Sequence, residues 1–376
     1  RTVTGTVGQD GRWQVRLPVV PLQHEPIEIQ VRTSSNSTLT VRNVLVGDVW
    51  LCTGPSNIYW PVRKCDNAPI EIAEATYPQI RFFTVEKNLA DRPQDDCNGN
   101  WLTCSPRTVA DVSGIGFFFG RQLHQQLDVP IGILQSCWGG SRIEAWTSEE
   151  ALENQPALKP ILQSWDTDFA NYDDERTTAA YEQELVRWKR SVVASENEGK
   201  KAPPRPKKPE NPRASQHRPA CLFNGMITPL IPFRIRGVIS YQGLGNLYWA
   251  EHSRVLLPTM IRDWQSRWGQ GAFAFGMVQP APFLCDRWPK QQNDAYALQR
   301  EAQILVLDQI PRTGVAATMD IGDLDELHFT NKQAVAQRLA NWALATEYQE
   351  NVKYTGPIYE SMSIENNRIR IRFSHA

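Results

Sequence analysis

The chain has 376 residues, of which 41% are hydrophobic and 22% charged, and its formal net charge is −1. This is an ordinary globular composition, long enough for one large α/β domain and a smaller piece. The balanced charge gives no electrostatic basis for binding nucleic acid or an anionic membrane surface, and no run approaches the roughly 20 apolar residues of a membrane helix. The seven cysteines are Cys52, Cys65, Cys97, Cys104, Cys137, Cys221 and Cys285. None forms a CxxC pair and no His stands near them at zinc-ligand spacing, which argues against a structural metal. Cys97 and Cys104 flank a short polar loop and are candidates for a disulfide in an oxidising compartment; the odd count leaves at least one thiol unpaired. The 13 Trp serve mostly in packing, and a flat indole face also suits stacking on a pyranose ring. The chain opens at Arg1 without Met, inside a β-like region, and stops just after a strand-like run. It therefore reads as cut at both ends, and localisation is not legible from either.

Residues 1–45 read as a partial β-domain. The runs 2–7 and 13–17 alternate in period two around a Gln9-Asp10-Gly11 turn, and Ile29, Val31, Leu39 and Val41 continue the alternation. From Asn43 the character changes. Residues 43–52 form a nearly continuous apolar run, as expected of a strand buried on both faces. Runs of the same kind occupy 131–136, 237–242, 273–278 and 313–319. Between them lie helical patterns at 115–126, 254–268, 295–307 and 331–345. Strands alternating with helices predict a parallel sheet in a three-layer α/β/α domain over 46–350, with active groups beyond the C-terminal strand ends. A polar helix is expected near 173–193, followed by a solvated Pro/Lys-rich loop over 194–213. Residues 351–376 return to β character. They are expected to rejoin the first segment, so that the α/β domain is inserted in a split, truncated β-sandwich-like domain.

Four segments carry chemistry. Thr53-Gly54-Pro55-Ser56-Asn57 follows the first buried strand, where a serine hydroxyl is presented at the sheet top and backbone N–H groups face a developing oxyanion. Taken alone, a Ser in a Gly/Pro turn is more often a turn residue or helix cap. Asp325-Glu326-Leu327-His328 follows the last strand. Histidine suits a base because its pKa lies near neutrality, and a nearby carboxylate fixes its tautomer. Gln242 and Asn246 end another strand with amides able to donate to an oxyanion. Finally, Gly139-Gly140 permits close backbone approach to a ligand beside Trp138, Arg142 and Glu144. The joint occurrence of Ser56 and His328 beyond the first and last strands outweighs the bland reading of each.

Together these segments resemble the sialate O-acetylesterase-like family of SGNH-type carbohydrate esterases. Residues 46–57 resemble VGEVWLCSGQSNM, 137–147 resemble WGGTPIEAW, 224–230 resemble NGMIHPL and 237–246 resemble GVIWYQGESN. Further along, 298–303 resemble LREAQ, 320–332 resemble DIGDxxDIHPxNK, and 356–362 also have a counterpart. The resemblance implies an SGNH hydrolase fold and a serine esterase acting on O-acetylated sugars, with no metal, no cofactor and a secreted, periplasmic or lysosomal setting. On that pattern Ser56 is the nucleophile, His328 the base and Asp325 the triad acid, with Glu326 as alternative. The oxyanion donors are Ser56, Gly140, Gln242 and Asn246, and the substrate contacts are Asn57, Trp138, Arg142 and Glu144. The chain departs from the pattern at Pro55 (Gln), Ser240 (Trp), Leu244 and Gly245 (Glu and Ser) and Phe329 (Pro). These changes surround the site and suggest weakened activity; two rivals to the sialate reading remain. One is an acetylxylan or polysaccharide acetylesterase; the other is a catalytically weakened sugar-binding relative.

Overall fold

The computed structural model describes residues 2–18, 20–284 and 294–375; Cys285 lies outside them. Its strands are β1 (Gln23–Arg32), β2 (Thr38–Val46), β3 (Asp48–Gly54), β4 (Tyr77–Thr84), β5 (Trp101–Cys104), β6 (Ile131–Cys137), β7 (Gly237–Ser240), β8 (Ala274–Val278), β9 (Thr313–Ala316), β10 (Ile358–Glu365) and β11 (Arg368–Ser374). The α-helices are α1 (Ser56–Tyr59), α2 (Ala68–Ala73), α3 (Gly114–Leu127), α4 (Glu149–Glu153), α5 (Lys159–Asn171), α6 (Asp174–Asn197), α7 (Ser253–Trp268), α8 (Ala295–Gln309) and α9 (Lys332–Glu347).

Seven strands form the central sheet in the order β5-β4-β6-β3-β7-β8-β9, all parallel except the edge strand β5. β3, β6, β7 and β8 are almost wholly buried, which is why they read as unbroken apolar runs. Helices cover both faces, giving one core around Trp50, Phe119 and Trp342 and a second around Trp146, Trp264 and Phe275. This is the three-layer α/β/α arrangement of an SGNH hydrolase. The chain leaves β3 toward one edge of the sheet and later returns to build the other. The β3/β7 boundary is therefore the switch point, where such sheets open a crevice at their C-terminal ends.

Several elements differ from the sequence reading. The apolar run 43–52 is not one strand. It breaks at Gly47, whose backbone lies so close to Pro130 that a Cβ would stand 2.0 Å from that carbonyl oxygen. The Gln9–Gly11 turn forms, with Gly8 N–H donating to Arg12 O at 2.7 Å, but residues 2–18 carry no strand. Their period-two alternation pairs with no strand among the described residues. β1–β2 and β10–β11 are separate two-stranded sheets, so the joined sandwich expected of 1–45 and 351–376 is not formed by a shared ladder. Cys97 and Cys104 are both free; the Cys104 thiol is directed at Ala75 O inside the core. The edge pair β4–β5 was not anticipated, because Pro78, Gln79 and Arg81 break its apolar pattern. The helix before the Pro/Lys-rich segment runs on to Asn197. Among the described residues no helix is long and apolar enough to cross a membrane.

One packing detail fixes the far side of the sheet. Gly276 of β8 and Gly314 of β9 are register partners. A Cβ at either would meet the Trp342 ring, at 2.6 Å and 2.1 Å respectively. The paired glycines make a notch that seats α9 on the sheet. Gly314→Ala should therefore cost about 1–3 kcal/mol by overpacking. Chemical denaturation should show a lower unfolding midpoint; an unchanged midpoint would mean that the notch does not constrain α9.

Candidate active site

Ser56 is the first residue of α1, immediately beyond the end of β3. The turn that presents it depends on Gly54, whose φ of +135° excludes most side chains and whose Cβ would stand 2.8 Å from Tyr241 O. Trp138 N–H donates to Gly54 O at 3.1 Å and Tyr241 N–H to Thr53 O at 3.3 Å, so the strands flanking β3 hold the turn from both sides. Pro55 contributes no N–H and no side-chain cap to the helix start.

His328 reaches this turn from the loop after β9. Its Nε2 lies 2.6 Å from Ser56 Oγ, a short hydrogen bond between a hydroxyl and an imidazole nitrogen. The ring is stacked on Trp60, with centroids 4.6 Å apart and planes within 4°. Glu326 Oε1 accepts from the His328 backbone N–H at 3.0 Å and lies 4.0 Å from Nδ1. The carboxylate nearest the imidazole is thus Glu326, the alternative to Asp325. Asp325 is exposed, its N–H donates to Asp323 Oδ1, and it forms no ion pair with His328. Burial, followed by the charge of Lys332, pushes the His328 imidazole below its ordinary pKa; Glu326 opposes this.

The other expected residues fall into two groups. Gly139 lies against the serine, where a Cβ would be 3.6 Å from Ser56 Cβ, and Gly140 is exposed with φ +77°. Gln242 is buried, and neither its amide oxygen nor its amide nitrogen has a hydrogen-bond partner. Trp138 is half-buried, with the Lys87 ammonium over its ring at 5.3 Å. Arg142 is partly exposed and 4.0 Å from Glu144. Of these five, Gly139 is the one in contact range of the serine, and Trp138 and Arg142 keep partly exposed side chains. Asn246, Glu144 and Asn57 instead turn inward. Asn246 donates to Glu144 Oε2 at 2.7 Å and accepts from Ile143 N–H at 2.9 Å. Glu144 is buried, which raises its carboxyl pKa. Asn57 is fully buried, with its amide bonded to Leu327 O and Lys332 Nζ. Buried groups with satisfied hydrogen bonds brace the loops; Asn57 and Glu144 are not free for the substrate contacts expected of them.

Three neighbours went unnoticed in the sequence. Trp60 and Lys332 touch the serine–histidine pair or its brace. His217 lies beside Gly140, its Cε1 3.8 Å from where a Gly140 Cβ would be, with Nδ1 buried and unpartnered. Lys332 closes the 320–332 motif and Trp60 follows the 46–57 one, but spacing along the chain does not show that they converge. His217 carries no sequence signal.

Fold and site together define a carboxylic ester hydrolase of the SGNH type. No family model matches the chain. It is 30% identical over 392 residues to the sialate O-acetylesterase of Rattus norvegicus, covering 97% of this chain and 69% of that protein. The human sialate O-acetylesterase is 29% identical over 396 residues, with 97% and 66% covered. The chain thus spans about two-thirds of the length of these relatives. The crystal structure of a carbohydrate acetylesterase from Xanthomonas citri is 31% identical, with a TM-score of 0.77 over 97% of this chain and 71% of that one. The chain belongs to the sialate O-acetylesterase family.

The site makes a prediction about its carboxylates. At 4.0 Å through a water-like medium, the Glu326 charge is worth on the order of 1 kcal/mol to an imidazolium, or roughly fivefold in rate. Glu326→Gln should lower turnover by about that factor. It should also move the acid limb of the pH–rate profile to lower pH, because the group that raises the His328 pKa is gone. Asp325→Asn should change neither. The opposite ranking, measured on one aryl acetate, would return the orienting role to Asp325.

Proposed function

We propose that the protein hydrolyses O-acetyl esters of carbohydrates through an acetyl-enzyme on Ser56. The observation that carries the reading is the 2.6 Å contact between Ser56 Oγ and His328 Nε2 at the switch point of the sheet. His328 Nε2 takes the hydroxyl proton as Oγ attacks the acetyl carbonyl carbon. The oxyanion is held by the N–H groups of Ser56 and Gly140 and by the Gln242 amide, whose missing partners suit a donor that waits for the reaction. As the intermediate collapses, the proton on Nε2 passes to the leaving sugar oxygen. A water molecule, deprotonated by the same nitrogen, then attacks the acetyl-enzyme and releases acetate. Trp138 and Arg142, both partly exposed on either side of Gly139-Gly140, are the side chains offered to a sugar. Because the relatives above carry the name sialate O-acetylesterase, acetylated sialic acids are the first substrates to try, and acetylated polysaccharides the second.

Acetate release should be measured for the parent and Ser56→Ala on acetylated sialosides, acetylated xylan and an aryl acetate. The parent should release acetate from at least one sugar ester, and Ser56→Ala should lose on the order of 10⁴-fold or more in turnover. Its thermal midpoint should stay near the parent's, since Ser56 is only half-buried. Activity surviving in Ser56→Ala would refute the mechanism. Sugar binding by a parent that turns over no ester would favour the weakened sugar-binding relative.

A further inference from the structure

Lys332 is the first residue of α9 and is fully buried. Both facts run against preference: lysine is seldom fully buried, and a cation at a helix N-terminus meets the positive end of the macrodipole. Its ammonium donates to Asn57 Oδ1 at 2.6 Å and sits 3.7 Å from the centroid of the Phe329 ring, and it forms no ion pair with a carboxylate among the described residues. Asn57 in turn donates from Nδ2 to Leu327 O at 3.0 Å. Asn57 directly follows Ser56, and Leu327 directly precedes His328. The Lys332–Asn57–Leu327 link therefore ties the two chain segments together one residue away from the reacting pair.

We propose that Lys332 is a positioning residue for Ser56 and His328, holding the serine turn and the histidine loop at hydrogen-bonding distance through Asn57. The inference rests on the reading of that pair as nucleophile and base. An ammonium can only donate, so it fixes the Asn57 oxygen toward itself and turns the NH₂ group to the Leu327 carbonyl. A methionine of similar length would fill the space without burying a charge, yet it would leave the amide free to flip. Phe329 supplies the aromatic face under the ammonium.

The charge has a second effect. Burial pushes the Lys332 pKa down to about 7, opposed by Cys65 and Glu326, and no charged group faces it from the start of α3, where Gly114 packs. His328 is faced by Lys332, Glu326, Lys64 and the Trp60 ring. Below neutral pH, where an imidazole titrates, Lys332 is charged and favours the neutral ring that can accept the serine proton.

The test compares Lys332→Met and Asn57→Asp with the parent on an aryl acetate. Asn57→Asp keeps a partner for Lys332 but replaces the donor to Leu327 O with a negative charge. It remains informative if Lys332→Met does not fold. In both variants kcat should fall by about 10²-fold, the effect of roughly 1 Å of misplacement, with KM within twofold. The acid limb of kcat/KM should move to higher pH, and NMR titration of the His328 imidazole should move the same way. A folded variant of either kind with parental kcat and an unmoved limb would overturn the proposal. If Ser56→Ala is inactive while Lys332→Met turns over normally, only this inference fails; if Ser56→Ala is active, the reading of the pair fails first.

Discussion

The site depends on a loop that crosses the sheet. Ser56 sits at the end of the central strand β3, whereas His328 belongs to the loop following the edge strand β9, three strands away. At the usual strand spacing that separation is about 14 Å, and the loop must close it to leave a 2.6 Å hydrogen bond. Loops do not hold such distances unaided, because each ordered residue costs conformational entropy. The crossing is pinned at successive points. Thr318 Oγ1 donates to Gln279 O at 2.7 Å, Arg338 grips Asp320 through two hydrogen bonds, Asn57 holds Leu327, and Trp60 stacks on the histidine itself. At the far end, α9 is seated in the Gly276/Gly314 notch by Trp342. Packing at the sheet edge is thereby converted into geometry at the serine.

The substitutions around the site fit this frame. Leu244 is half-buried and packs against hydrophobic clusters on both sides, an environment for an aliphatic residue rather than a carboxylate. Phe329 is buried and lies under the Lys332 ammonium. Pro55 precedes the serine with φ −75°, compatible with its ring. What the site retains is a serine–histidine contact, Gly139 against the serine, and Gln242 with its amide buried and unpartnered.

The parts of this arrangement that show in the sequence are those written locally. Strands buried on both faces read as apolar runs, and strand-end turns with Gly, Ser or His mark the crevice, so the sheet and the Ser56–His328 pair were both legible. Contacts between distant segments were not. Asn57 beside the nucleophile looks like a substrate ligand until Lys332 and Leu327 are seen to occupy its amide. Glu144 reads the same way until Asn246 is found holding it in the core. The choice between Asp325 and Glu326 turns on the Asx-type turn at Asp323, which points neighbouring carboxylates in different directions. β4 hid behind Pro78 and its charged outer face, and the runs at 2–7 and 13–17 alternate well but lack the partner strands that a ladder needs.

The central claim is that Ser56, activated by His328, is the residue that becomes acylated. The most direct measurement is labelling of the native protein with a fluorophosphonate, followed by peptide mass spectrometry. The account predicts a single adduct on Ser56, formed in step with loss of esterase activity and absent when His328 is replaced by Ala. An active protein that stays unlabelled at Ser56, or one inactivated by an adduct on another residue, would contradict it.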